Sequence, residues 1–181
     1  MREVVLFIAM SLDGYIADKR GGVHWLTGQV PDVQMPDTYG KFIRNVDTVI
    51  MGRNTYEQIV TELSPEEWVY QDLTSYVLTH RRDDPKTNHT FMIQSELVDL
   101  IQKLKKQPGK HIWICGGADI VRQCMEADLI DTYYISVIPT ILGDGIGLFG
   151  RSEKELKLEL METQVYNGIV DLVYRLSLIH I

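Results

Sequence analysis

The stretch IWICGGADIV, residues Ile112 to Val121, decides the fold. Ile112 to Cys115 read as a buried strand, Gly116 and Gly117 follow, and Ala118 and Asp119 open a helix. A strand that turns through glycine into a helix belongs to an open α/β sheet. There, ligands bind beyond the carboxyl ends of the strands, and helix N-termini aim unpaired N–H groups at anions. Two readings of the glycine pair stand open. The backbone touches a pyrophosphate, with the N–H groups ahead of Asp119 as donors, or a tight turn needs glycine for its dihedral angles alone.

Outward from this stretch, short apolar runs alternate with helical patterns, as in a sheet with helices on its faces. Val4 to Met10 is the first strand, and it feeds the glycine-rich loop SLDGYIADKRGGVHWLTGQVPD, residues 11–32. Loops of that length in compact domains are functional or mobile. A helix fits Thr38 to Asn45, with Asp37 as its N-cap. The strand TVIM ends at Gly52, RNTYEQIVTEL (53–63) reads as a helix, and SYVLTH (75–80) reads as a strand closed by Arg81, Arg82, Asp83, Asp84 and Pro85. TFMI (90–93) is a further strand, followed by Ser95 and a helix from Glu96 to Lys106 that Pro108 and Gly109 stop. The helix after the glycine pair runs to about Glu126.

The C-terminal third changes character. TYYISVIP (132–139) is a strand and TILGDGIGLFG a glycine-rich loop; LKLELMETQVY (156–166) and VDLVYRLSLI (170–179) alternate with period two. Asn167-Gly168 between them signals a hairpin. The sheet should be mixed, with parallel crossovers first and an antiparallel hairpin last.

Bulk properties narrow the function. A chain of 181 residues with 45% hydrophobic and 24% charged residues fits one domain, 1–181, without a linker. A formal net charge of −7 excludes a basic footprint for nucleic acid. The apolar run at Val4 to Met10 is far below the roughly 20 residues of a membrane span, and Arg2 and Glu3 argue against a signal peptide. A cytoplasmic protein with no membrane partner is the expectation. Cys115 and Cys124 belong to no C-x-x-C and read as buried free thiols. The five histidines do not cluster, so no metal is expected.

Two more strand ends carry anion chemistry. In VIMGRNTYE, Arg53 enters the first turn of a helix, where the macrodipole disfavours a cation. It either faces a bound anion or pairs locally with Glu57. In VLTHRR, Thr79 offers a hydroxyl and Arg81 and Arg82 offer guanidinium forks suited to phosphate. Three such ends imply an extended ligand with several phosphates. The literal G-x-G-x-x-G of GIGLFG, Gly145 to Gly150, is a decoy, because an alternating strand rather than a helix follows it.

These motifs, in this order, resemble the dihydrofolate reductase-like superfamily, and more closely the reductase domain at the C-terminus of bifunctional riboflavin biosynthesis proteins. MSLDGYIA resembles the family's first strand and substrate loop, MGRNTYE its M-G-R-x-T-[WY]-E motif, and VLTHR its strand ending in a basic cofactor loop. IWICGGADIV is similar to its glycine-pair strand and helix. LIDTYYISVIPTILGDGIGLF is similar to its Asp-strand-Pro-x-x-x-Gly-x-Gly-x-x-x-Phe segment. The resemblance covers nearly the whole chain. It implies a three-layer α/β/α sandwich with a mixed, mostly parallel central sheet and a C-terminal antiparallel hairpin.

It also implies an NADPH site. Carried over residue by residue, Gly116 and Gly117 pass along the pyrophosphate, often through a non-proline cis peptide in this family. Cys115 precedes them, and Ala118, Asp119 and Ile120 follow at the helix N-terminus. Gly52, Arg53 and Thr55 serve the cofactor phosphates. Thr79, His80 and Arg81 meet the adenosine 2′-phosphate and favour NADPH over NADH. Ala9 sits near the nicotinamide, and the Gly143 to Gly147 loop, with Gly145, closes against the cofactor.

The substrate pocket is expected in the long loop and the helix after it. Asp37 and Asp13 are the catalytic candidates, with Trp25, Tyr15 and Tyr39 as substrate contacts. Asp37 read as a helix cap, and Asp13 as a turn residue before Gly14, are the alternatives. Riboflavin-pathway reductases read S-L-D-G-[KR]-x-A in this loop, and Tyr15 stands here in the basic place. The resemblance implies hydride transfer to a small heterocyclic or ribosyl-type substrate, like that of 5-amino-6-(5-phosphoribosylamino)uracil reductase, in a homodimer. Dihydrofolate reduction and NADPH binding without turnover are the alternatives.

Overall fold

A computed structural model describes residues 1–81, 90–93 and 96–178 of the chain. Of the expectations above, Arg82 to Pro85, Ser95 and the last strand residue Ile179 lie outside the described residues.

Eight strands form one sheet in the order β5-β4-β3-β6-β1-β7-β10-β9. They are β1 (Val4–Ser11), β3 (Val46–Gly52), β4 (Thr74–Leu78), β5 (Thr90–Ile93), β6 (His111–Gly116), β7 (Thr132–Ile138), β9 (Leu158–Tyr166) and β10 (Ile169–Leu176). Every pairing from β5 across to β7 is parallel, and β10 pairs antiparallel with both β7 and β9. The sheet is thus mixed, mostly parallel, and closed by a hairpin. At its tip Asn167 (φ 47°) and Gly168 (φ 78°) both take left-handed conformations, as a two-residue hairpin of this twist requires.

Helices cover both faces. Helices α3 (Leu97–Lys105) and α4 (Ala118–Glu126) place Leu97, Ile101, Leu104, Ile120, Val121 and Cys124 against Leu6, Ile50, Ile112 and Ile114. On the other face, α1 (Thr38–Ile43) and α2 (Arg53–Gln58) bring Phe42, Tyr56 and neighbouring Ile59 against Val49, Met51, Val77 and Trp113. Ile112 and Ile114 are completely buried, so truncating either to alanine costs about 2–5 kcal/mol.

Three expectations are corrected. The helix expected over 53–63 is α-helical only to Gln58 and continues as a π-helical turn, Ile59–Leu63, closed by Ser64 N–H donating to the Ile59 carbonyl at 2.7 Å. The Thr61 hydroxyl donates to the Glu57 carbonyl (2.7 Å), a back-bond that competes with the regular ladder. The loop over 11–32 contains a short strand, β2 (Tyr15–Ala17), paired antiparallel with β8 (Ile146–Gly147). Strands this short leave no readable alternation. Helix α1 stops at Ile43 rather than Asn45.

Candidate functional site

Because β4, β3, β6 and β1 are parallel neighbours, their carboxyl ends lie side by side along one edge of the sheet. The three motifs expected to bind anions therefore meet there. Gly52 ends β3 and N-caps α2, and Gly117 N-caps α4; neither glycine cap contributes a side-chain hydrogen bond to its helix. The Gly116–Gly117 peptide is cis.

The two glycines are glycine for different reasons. Gly116 has φ +130°, a conformation that side chains rarely adopt. Gly117 has φ −81° and ψ −157°, ordinary extended backbone. A Cβ there would meet only Thr55 Oγ1, at 3.5 Å, which is normal contact. Thr55 Oγ1 also lies 3.9 Å from a Cβ built on Gly116, so this hydroxyl stands beside both glycines. The turn reading accounts for Gly116. Neither backbone sign nor packing accounts for Gly117.

Around the pair, charge is arranged in couples. Arg53 Nε donates to Glu57 Oε1 at 2.7 Å, the local pairing that stood as the alternative for this arginine, and Arg81 lies 3.6 Å from the same oxygen. Thr79 is buried and its hydroxyl accepts from Arg81 N–H at 3.0 Å, so it shapes the turn after β4. His80 is exposed and close enough to Asp119 to act on its charge. Asp119 accepts from Arg122 (2.5 Å) and Gln123 (2.7 Å), and these bonds, Arg122 foremost, hold its carboxyl below the usual range. Ile120 faces the core, leaving only its backbone at the helix end.

Cys115 is partly rather than fully buried, a departure from expectation, while Cys124 is fully buried. The Cys115 thiol lies 3.9 Å from the Tyr70 hydroxyl, and burial pushes both thiols up to about 12, which makes them inert at neutral pH.

The substrate-side candidates separate. Asp37 is the N-cap of α1, accepting from Gly40 N–H at 3.0 Å, and its residue is exposed. Asp13 accepts from the Ser11 hydroxyl (2.6 Å) and from Leu142 N–H (3.1 Å) and Gly143 N–H (2.8 Å). Those bonds, led by Ser11, hold its carboxyl below the usual range and tie it to the loop at residues 142–143. Trp25 is only 5% exposed, packs with Ile138 and Ile169, and donates from Nε1 to the Gly22 carbonyl at 3.1 Å. This corrects its reading as an open substrate contact. Tyr15 is half-buried on β2, and Gly145 sits where a Cβ would overlap the Ala17 carbonyl oxygen. The Gly143 to Gly147 loop thus closes on β2. Tyr39 is exposed, with its ring 6.3 Å from Phe7 and 6.0 Å from Trp113.

One polar group went unread in the sequence. Asp171, 1% exposed, accepts from the Ser136 hydroxyl (2.6 Å) and the Tyr166 hydroxyl (3.0 Å) on Oδ1, and from the Tyr134 hydroxyl (3.0 Å) on Oδ2. Strand alternation carries a faint signal, since Asp171 shares its parity with the apolar Ile169 and Val173. Among the described residues, no group of three or more His, Cys, Asp or Glu side chains could hold a metal ion. Nor is any helix there long and apolar enough to cross a membrane, which says nothing of spans made of strands.

Residues 2–171 match the family model described as the RibD C-terminal domain. The uncharacterized protein YwjB of Bacillus subtilis is 40% identical over 175 residues, covering 96% of this chain and 97% of its own. A solved structure from Shewanella sp. PV-4, described provisionally as a riboflavin biosynthesis protein, superposes with TM-score 0.83 at 30% identity, covering 97% of this chain and 99% of that one. The dihydrofolate reductase of Enterococcus faecalis, solved with NADP(H), gives TM-score 0.65 at 18% identity over 96% of each chain. The fold is therefore dihydrofolate reductase-like.

Proposed function

Since the chain belongs to the RibD C-terminal domain family, we propose that it is an NADPH-dependent reductase of a small heterocyclic or ribosyl-type substrate, working in the cytoplasm as a homodimer. The observation that carries this reading is Gly117, a glycine that the protein's own backbone and packing do not require, facing Thr55 at an open strand end. A dinucleotide passing over it supplies the missing reason.

The residues present fit such a cofactor. Gly116 and Gly117 let the backbone approach a pyrophosphate, and the uncapped N-termini of α2 and α4 supply N–H donors and favourable dipoles. Thr55 offers a hydroxyl, and Arg53 and Arg81 offer guanidinium groups; Thr79 sets the turn that presents Arg81. Bound NADPH would supply a hydride. Ala9, on β1 beside β6 and β7, gives the reacting ring a small neighbour. Of the two carboxylates, Asp37 makes one cap bond and is the proposed proton carrier, while Asp13 holds the loops in place.

Titration with NADPH and, in parallel, NADH tests this reading through tryptophan fluorescence and thermal shift. A ligand at 100 times its Kd stabilises the fold by about 2.7 kcal/mol. NADPH preference that disappears in Arg81→Ala supports the assignment. Absence of binding by either cofactor at millimolar concentration overturns it.

A further inference from the structure

Behind the sheet lies a cavity of about 270 Å³ between helix α4 and the segment FGRSEKELKL, residues 149–158. Tyr133 forms its floor. On β7, Tyr133 leaves the sheet on the face opposite to Ser136, the cross-strand partner of Ala9, so the cavity and the proposed reaction centre lie on different faces. Helix α4 starts from Gly117 at the cofactor edge and reaches the cavity at Met125, roughly 12 Å away at 1.5 Å per residue. The walls are apolar: Met125, Leu156, Phe149 (45% exposed) and Leu158 (36% exposed).

The polar groups of this cavity are mostly donors. Tyr133 is only 2% exposed, yet its hydroxyl makes no hydrogen bond among the described residues. Nor is it one of the unbonded polar atoms sealed from solvent, so it opens on the cavity that the ring lines. Burial, followed by the Asp128 charge, raises the phenol and keeps its proton in place. Lys154 also lines the cavity, pairing with Asp128 at the rim. Both partners of that pair are held by backbone. Ser152 Oγ accepts from Lys154 N–H (3.1 Å) and donates to the Lys154 carbonyl (3.3 Å). Asp128 closes α4 in a left-handed conformation (φ 53°) where glycine is usual, its N–H donating to the Met125 carbonyl at 3.1 Å while Leu129 N–H donates to the Cys124 carbonyl at 2.9 Å. The Lys154–Asp128 couple is neutral overall, and the ammonium keeps N–H bonds beyond the one that Asp128 takes.

We propose that this cavity is a second binding site, for a small uncharged ligand with a flat apolar body and one carbonyl oxygen that accepts from Tyr133 and Lys154. The site goes beyond the reductase reading and does not depend on it. A carbonyl oxygen carries two lone pairs for the two donors, and a buried donor without an acceptor gains most from meeting one. A carboxylate would bring a second negative charge beside Asp128, and a cation would face Lys154. The apolar walls take a single ring, since the volume lies at the small end of ligand sites.

The test uses the full chain and three probes that share a ring: acetophenone, with a neutral carbonyl; benzoate, its anionic counterpart; and ethylbenzene, without an acceptor. Binding is followed by the methyl resonance of Met125, identified by its loss in Met125→Leu. Acetophenone should bind at least about fivefold tighter than either of the others. Tyr133→Phe should weaken acetophenone by about fivefold and leave ethylbenzene unchanged, a split that a merely structural tyrosine does not produce. Leu158→Trp, which fills the cavity from its rim, should abolish binding of all three, and it decides the matter if the phenylalanine variant does not fold. Equal binding of acetophenone and benzoate, an undiminished acetophenone affinity in the variants, or no Met125 response to any probe overturns the proposal. Displacement of acetophenone by NADP⁺ overturns it as well, since the probe then sits at the cofactor edge. So does binding that fades as protein concentration rises, which would give the cavity to a second copy of the chain. Acetophenone bound at Met125 in a protein that binds no NADP⁺ leaves this site standing and sinks the reductase reading alone.

Discussion

Arg53 and Glu57 are joined one helical turn apart, Nε to Oε1 at 2.7 Å, and the same oxygen lies 3.6 Å from Arg81. One carboxylate thus holds two arginines of the proposed phosphate edge and subtracts from their field. Glu57→Gln keeps the shape and removes the charge. NADPH affinity should rise by about two- to fivefold, the scale of a partly exposed ion pair, and the gain should shrink at high salt. Isothermal titration at two ionic strengths reads both effects, and a loss of affinity would show that Glu57 aligns the arginines more than it screens them.

Gly117→Ala separates the two readings of the glycine pair. The new methyl meets only Thr55 Oγ1, and the backbone there is ordinary. Stability should change by less than about 1 kcal/mol, while NADPH affinity falls by tenfold or more. A variant that binds NADPH normally would assign the glycines to the turn alone.

Gly145→Ala should behave in the opposite way. Its Cβ overlaps the Ala17 carbonyl, so the β2–β8 contact must open, at a cost of about 2 kcal/mol. Chemical denaturation measures the loss, and an unchanged midpoint would mean that the loop yields freely.

Acid should loosen the loops before the sheet. Asp13, Asp18 and Asp144 all have carboxyls held below the ordinary 3.8, by the Ser11 hydroxyl, by the Gly22 N–H and by Lys19 respectively. A depressed folded value means that the stabilisation is full above about 3.8 and is lost as pH falls through the lower folded value. Fluorescence of Trp25, buried beside these loops, should shift below pH 3.8 while the far-ultraviolet circular dichroism of the sheet persists. Asp13→Asn should flatten that step, and coincident loss of both signals would contradict the order.

The outer strand β9 carries exposed apolar side chains, Leu160, Met161 and Val165 among them, on an edge that no further strand covers among the described residues. The proposed homodimer should bury this region. Sedimentation should give the mass of two chains for the wild type and of one for Met161→Lys, and a wild-type monomer would remove the dimer.

The elements that recur with a clean period were readable without coordinates. Alternation in residues 156–166 and 170–179, with Asn167-Gly168 between them, reads as the hairpin that β9 and β10 form, and Asp37 reads as the cap it is. The glycine pair also announced itself, because glycine at a strand end has few uses. What escaped depends on which strands are neighbours. Ser136 and Asp171 lie 35 residues apart and meet only because β10 returns beside β7. Trp25 seemed a pocket residue because loops look open in sequence, yet its ring is folded under Ile138 and Ile169.

The central place of β1 shapes how the chain is made as well as how it works. Val4 finds its partner in Ile112 and Val5 in Thr132, so β1 waits for both neighbours until synthesis has run more than a hundred residues past it. Pairing across such spans is slow and leaves the waiting strand open to misassociation. Nascent-chain yield should therefore depend on chaperone supply until β7 emerges, and a circular permutant beginning near Asn167, which synthesises β10 and then β1 early, should still wait for β6 and β7 before the sheet can close.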